Sequence, residues 1–264
     1  MSTATALAHS VMGQENGSRV VLLNPMGSSA LAWVRVAGEL ARKYQVVQMD
    51  YPGFGATPNQ EAASIAELAQ RASATLKQLP PKPAHLVGYS LGGWVAQQMA
   101  LQAEVEVASL LLIGSADRIY PMGMRMLEQW LQLIDVAGIE ATLAEIAFWN
   151  FSAASFEKVP DLLQRFVRGG LASFGDTEIF KHQMRLCHAY STRPPLERIT
   201  APTLVARGEL DFFYPQFCSQ ALADAIPGSR MVEIAQTAHA VLWENPEAVA
   251  RLACEFVGEL EREP

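Results

Sequence analysis

Cysteine is scarce in this chain: Cys187, Cys218 and Cys254 are the only three, an odd number whose neighbours lie more than 30 positions apart. That spacing suits neither a disulfide framework nor a cysteine-ligated zinc site, so they are expected as ordinary buried thiols, with no metal and no cofactor. Basic charge is also in short supply. Twenty Lys and Arg stand against 27 Asp and Glu, for a net charge of −7, and the longest basic cluster sits in "ARK" at 41 to 43. Nucleic acid and anionic membranes select for a positive footprint that is missing here, which leaves a small-molecule substrate as the expected partner. Long apolar runs are missing too: none approaches the roughly 18 residues of a membrane span. The opening "MSTATALAHSVMGQENG" has no basic segment followed by a long apolar one, so a secretory signal is not expected and a cytoplasmic protein is.

What the chain has is apolar residues, half of its 264, enough to bury one sizeable core and a small accessory subdomain. The runs "RVVLLN" (19 to 24), "YQVVQMD" (44 to 50), "AHLVGY" (84 to 89), "ASLLLIG" (108 to 114), "PTLVARG" (202 to 208) and "RMVEIA" (230 to 235) are continuous rather than alternating. Strands buried on both faces read this way. Amphipathic stretches lie between them, such as Ile65, Leu68, Ala69, Ala72 and Leu76, and then Trp94 to Leu101. Alternating strand and helix implies an α/β fold, a parallel sheet with helices on both faces. From Asp117 to Pro195 the rhythm stops. Leu127, Trp130, Leu131 and Ile134 fall at helical spacing, as do Ile139, Leu143 and Ile146, then Val159, Leu162 and Phe166, with "GG" at 169 to 170 and "RPP" at 193 to 195 as punctuation. The expected organisation is a core domain from residues 1–116 and 196–264 and a helical cap at 117–195.

Residues 87 to 93, "VGYSLGG", put a serine where a buried strand meets a helix. Such a junction reverses the chain in one tight turn whose apex is strained, and small neighbours such as Gly88 and Gly92 make room for it. Ser90 then projects above the carboxyl edge of the sheet at a helix N-terminus, where backbone N–H groups face any developing anion. G-x-S-x-G in this setting is a nucleophile elbow.

The resemblance runs along nearly the whole chain. "VVLLNPMGSSALAW" resembles the strand and oxyanion loop of α/β-hydrolase-fold enzymes, "MDYPGFGAT" their D-x-P-G-x-G-x-S turn, "RGELDFFYP" their acid-bearing loop and "TAHAVLWENPEAV" their histidine segment, with Glu244 and Pro246 five and seven places beyond His239. The resemblance is to the serine-nucleophile superfamily of esterases, lactonases and C–C hydrolases. It implies a mostly parallel sheet of the eight-stranded type, with the helical cap inserted before the acid-bearing strand.

Serine is a weak nucleophile without a base. His9 lies near the N-terminus, His85 in the strand leading to Ser90, and His182 and His188 in the insert, so His239 is the expected base. Asp211 leads as the acid that orients it, with Glu209 and Asp117 as competitors; an N-cap at the start of the insert is the structural reading of Asp117. Asp50 reads as a brace for the turn at Gly53 and Gly55. Two backbone donors are needed for an oxyanion. Leu91 N–H follows the nucleophile, and in "NPMG" Pro25 has no N–H, which points to Met26. Relatives usually carry His-Gly where this chain has Asn24-Pro25, so Asn24 either ties down the loop or touches substrate. Trp94 and Trp149 are further substrate-binding candidates, and Arg125, Arg165, Arg168 and Arg185 offer a carboxylate site or a solvated face. The expected function is cleavage of a carboxylic ester or lactone of a small, largely apolar substrate. The competing readings are a C–C bond hydrolase, a thioesterase, a lyase or cyclase, and a binder that kept the pocket without turnover.

Overall fold

The computed structural model describes residues 5–262; the ends of the expected core domain, 1–4 and 263–264, lie outside the described residues, as do the first four residues of the stretch read for a signal. The chain opens with β1 (His9–Gly13), β2 (Arg19–Leu23), a 3-10 turn at Ala30–Trp33, α1 (Val34–Leu40) and β3 (Gln45–Met49). It continues through α2 (Ile65–Leu76), β4 (Ala84–Tyr89), α3 (Leu91–Gln102) and β5 (Val107–Ile113). Four helices follow before the next strand: α4 (Pro121–Asn150), α5 (Ala153–Lys158), α6 (Leu162–Ser173) and α7 (Thr177–Ala189). The last part holds β6 (Thr203–Gly208), α8 (Gln216–Ala225), β7 (Arg230–Ile234), α9 (Val241–Glu244) and α10 (Pro246–Leu260).

Seven strands form one sheet in the order β1-β3-β2-β4-β5-β6-β7, parallel except for β1, which runs antiparallel to β3. The sheet therefore has seven strands among the described residues, where the eight-stranded type was expected. The five strands β2 to β6 match the continuous apolar runs and are almost wholly buried, as strands with helices on both faces must be. One face carries α1 and α10 over Val20, Leu22, Val46 and Ile113. The other carries α2 and α3 over Val21, Leu23, Leu86 and Leu112, and the helices of the insert extend that core.

Strand order sets the location of the site. β2 lies between β3 and β4, so successive connections leave it in opposite directions and a crevice opens at the carboxyl ends of β2 and β4. Leu23, the last residue of β2, pairs with Gly88. The loop after β2 is thereby set beside the turn after β4.

The "GG" at 169 to 170 does not end a helix: both glycines lie inside α6. A Cβ on Gly170 would meet the Leu143 methyl groups at 3.0 and 3.1 Å, so the missing side chain lets α6 lie close against α4. The helical break falls instead at Gly138, φ 84°, which kinks α4 between the two apolar sets at 127–134 and 139–146.

Candidate active site

Ser90 sits at φ 53°, ψ −116°, outside the conformations a serine ordinarily adopts. Its N–H donates to Ile113 O at 2.9 Å and its carbonyl accepts from Gly93 N at 2.9 Å, which pins the apex to β5 and to the first turn of α3. The two glycines of the motif make room in a measurable way. A Cβ on Gly88 would lie 2.4 Å from Gly92 O, and one on Gly92 would lie 2.1 Å from Leu23 O. Any larger residue would push the turn off β2 and α3.

Asp211 and His239 come from loops after β6 and β7 and meet Ser90 above the sheet. His239 Nε2 lies 3.3 Å from Ser90 Oγ, and His239 Nδ1 lies 2.8 Å from Asp211 Oδ2. All three are buried, at 8% exposure for Ser90, 3% for Asp211 and 4% for His239. The other Asp211 oxygen accepts from Tyr214 N at 2.9 Å. A carboxylate held on both oxygens presents a fixed acceptor to the imidazole and selects its tautomer.

The competing acids stand elsewhere. Glu209 is exposed and its Oε2 accepts from Gln236 N. Asp117 is buried, with Oδ1 unpaired and Oδ2 3.6 Å from Arg118 Nη1. It does not cap the insert: Tyr120 holds the N-cap position of α4, ahead of Pro121. Asp50 lies where a brace belongs, accepting from Ala30 N at 2.7 Å and Ala56 N at 2.9 Å across the turn.

A cavity of about 890 Å³ opens over Ser90, and Met26, Ser90 and His239 all line it. Trp130, Leu143, Ile146, Phe166 and Phe213 make it largely apolar, while Arg35, Lys158 and Arg165 are its cationic members. Arg35 pairs with Glu247 and Arg165 with Asp161. Leu91 opens α3, so its N–H is one of the donors ahead of the helical ladder.

None of the three substrate-binding candidates lines this cavity. Asn24 is fully buried and its Nδ2 donates to Met49 O at 2.9 Å, tying the loop after β2 to β3. Trp94 is buried in α3, donates Nε1 to Ala116 O at 2.9 Å and stacks on Tyr190. Trp149 donates to Glu145 and pairs with Phe212, outside the cavity. Helical spacing in the sequence could not separate these rings from Trp130 and Phe151, which do line it. Of the candidate arginines, Arg165 alone lines the cavity; Arg125 pairs with Glu128 and Arg185 lies near Glu178.

Other residues at the site gave no sequence signal. Tyr89 looks like a core residue of β4, yet its hydroxyl donates to His239 O at 2.6 Å; burial pushes the phenol well up, with the Asp211 and Glu244 carboxylates adding, so it remains a donor. Phe213 stacks on the His239 ring at 4.9 Å. Gln183, on α7, accepts from Gly27 N at 2.6 Å and fastens the "NPMG" loop to the insert. Among the described residues no three His, Cys, Asp or Glu side chains gather as a metal site, and no helix is long and apolar enough to cross a membrane. Cys187 and Cys218 are buried, and burial pushes each thiol up to about 12.

A buried serine at a strained elbow, backed by histidine and carboxylate on a mostly parallel α/β sheet, defines a hydrolase class. The model of the alpha/beta hydrolase family matches residues 20–252, and the chain belongs to that family. It is 30% identical to a protein of Variovorax paradoxus (strain S110) named as a carbamate hydrolase, over 83% of this chain and 84% of that one. It is 27% identical to the pimeloyl-[acyl-carrier protein] methyl ester esterase of Vibrio vulnificus (strain YJ016), over 93% and 96% of the two chains. The crystal structure of a hydrolase from Pseudomonas aeruginosa PA01 superposes with a TM-score of 0.85 at 25% identity, covering 96% of this chain and 94% of that one.

Proposed function

We propose that the protein hydrolyses a carboxylic ester or lactone of a largely apolar substrate through an acyl-enzyme on Ser90. The observation that carries this is the hydrogen-bonded line Asp211–His239–Ser90 at the floor of an apolar cavity. Ser90 Oγ attacks the carbonyl carbon while His239 Nε2 takes the hydroxyl proton. The negative oxygen is held by the N–H groups of Met26 and Leu91. His239 returns the proton to the leaving alkoxide as the C–O bond breaks, then takes a proton from a water that attacks the acyl carbon and passes it to Ser90 Oγ as the acyl–Oγ bond breaks, releasing the acid. Asp211 orients the imidazole and stabilises its charged form. The segment between β5 and β6 acts as a cap that controls access, since its helices supply Trp130, Leu143, Ile146 and Phe166 to the cavity and the link between α4 and α5 supplies Phe151.

A fluorophosphonate probe tests the nucleophile directly. Stoichiometric labelling of the wild type, abolished in Ser90→Ala, is expected; labelling that survives in Ser90→Ala points to another residue. Ser90→Ala and His239→Ala should each lower kcat by at least about three orders of magnitude, and the double variant should be little worse, because the two act as one unit. The substrate panel spans p-nitrophenyl esters, lactones, acyl thioesters, vinylogous 1,5-diketones and, because of the Variovorax relative, carbamates. Turnover of esters or lactones above the others supports the proposal.

A further inference from the structure

We infer that Glu244 couples the seating of the helical insert to the alignment of His239. The inference rests on reading His239 as the base. Part of "ENPE" is explained by the start of α10: Asn245 caps it, accepting from Ala248 N at 3.2 Å, and Pro246 occupies its first turn, where no N–H is needed. Glu244 takes no part in that cap. Its Oε1 accepts from Ser152 N and Ser152 Oγ, both at 2.7 Å, and from Ser155 Oγ at 2.5 Å. Its Oε2 accepts from Ala238 N at 2.5 Å. One carboxylate thus joins the start of α5, within the insert, to the residue immediately before His239.

The peptide immediately after His239 is held from the same side: Ala240 N donates to Asn150 O, at the end of α4, at 2.7 Å. Of the hydrogen bonds on the backbone flanking the imidazole, that of Ala240 N reaches the segment 150–155 directly and that of Ala238 N reaches it through Glu244, while His239 O accepts from Tyr89 Oη and Val241 N. Lifting that segment would free Ala240 N and strip the carboxylate bound to Ala238 N of its three partners on the insert. Asn150, Phe151, Ser152 and Ser155 also line the cavity, as do His239 and Glu244. A substrate that fills the cavity presses on the segment whose seating aligns the base, so binding and alignment share one clamp. Hydrogen bonds to a charged acceptor are the stronger class, and four on a single carboxylate make it the centre of the clamp.

Two variants test this, each assayed with p-nitrophenyl butyrate and normalised to active sites titrated with a fluorophosphonate, so that loss of folded protein drops out. Glu244→Gln keeps the size but has one acceptor oxygen and cannot hold both ends. The double variant Ser152→Ala/Ser155→Ala removes two hydroxyls from the insert end and leaves the Ala238 bond in place. Both are expected to lower kcat per titrated site by about tenfold, the scale of losing hydrogen bonds to a carboxylate, with KM within about twofold. Both should also broaden or shift the far-downfield proton resonance of the His239–Asp211 hydrogen bond, which a merely structural role would leave in place. Wild-type kcat and an unchanged resonance in the serine double variant overturn the coupling, even where Glu244→Gln is impaired, because Glu244 would then serve the histidine loop alone. Should Glu244→Gln not fold, the serine pair decides. A wild type that neither labels nor turns over removes the Ser90 reading itself, whereas a labelled, active wild type with unaffected variants removes only the coupling.

Discussion

Met26 carries the proposed oxyanion contact through its backbone, and that makes side chain and main chain separable at one position. Met26→Ala should keep kcat within about tenfold, while Met26→Pro, lacking the N–H, should lose about two to three orders of magnitude in a folded protein. Steady-state rates and circular dichroism of the two variants check it; full activity in a folded Met26→Pro would take this loop out of the mechanism. At this scale the sequence was legible wherever chemistry demands a residue type at a turn. Ser90, Asp211 and His239 each sit on a loop after a strand, and their motifs name them before any coordinates do. Asn24, Trp94 and Trp149 were not legible as substrate-facing or not, because a large polar or aromatic residue near a site looks the same in sequence whether it faces a ligand or a neighbouring strand or loop. Asn24 faces Met49 O, Trp94 faces Ala116 O and Trp149 faces Phe212. Gln183 and Tyr89 act through single hydrogen bonds between residues 156 and 150 positions apart, which no local pattern encodes.

Elements show the same division. β2 to β6 announce themselves because burial on both faces permits only apolar runs, whereas β1, "HSVMG", is exposed along its length and has no such run. It is an antiparallel edge strand whose order comes from pairing with β3. The contact of α6 with α4 at Gly170 gives this scale its prediction. Alanine there gains up to about 1 kcal/mol of helix propensity, while its Cβ must displace Leu143 methyl groups standing at 3.0 and 3.1 Å. The opposing terms are similar in size, so melting temperature should move by only a few degrees. Leu143 lines the cavity, and its displacement should lower kcat/KM for long acyl esters relative to acetate by several-fold. A thermal melt and a two-substrate competition measure the two effects; an unchanged selectivity ratio would show that Leu143 relaxes away from the cavity.

The whole molecule sets how large a substrate the site accepts. A cavity of about 890 Å³ lies toward the upper end of the roughly 300–1,000 Å³ typical of small-molecule sites, far more than an acetyl group fills. Its apolar walls come mainly from helices between β5 and β6, so in the proposed mechanism the mostly parallel sheet fixes the reacting groups while the inserted helices shape the room around them. Each further methylene that leaves water for those walls contributes about 0.8 kcal/mol, close to a fourfold gain in kcat/KM. If the acyl chain enters this cavity, p-nitrophenyl esters should gain steadily from acetate toward octanoate and level off where the walls end. The gain should appear mostly in KM, since contacts made equally in ground and transition states tighten binding without speeding the chemical step. Phe166→Ala, which opens the wall further from within α6, should move the plateau to longer chains. A series that falls from acetate upward would mean that the acyl group is turned away from the cavity, leaving the apolar room to the alcohol or ring portion of the substrate. Varying the alcohol at constant acetyl would then recover the rise.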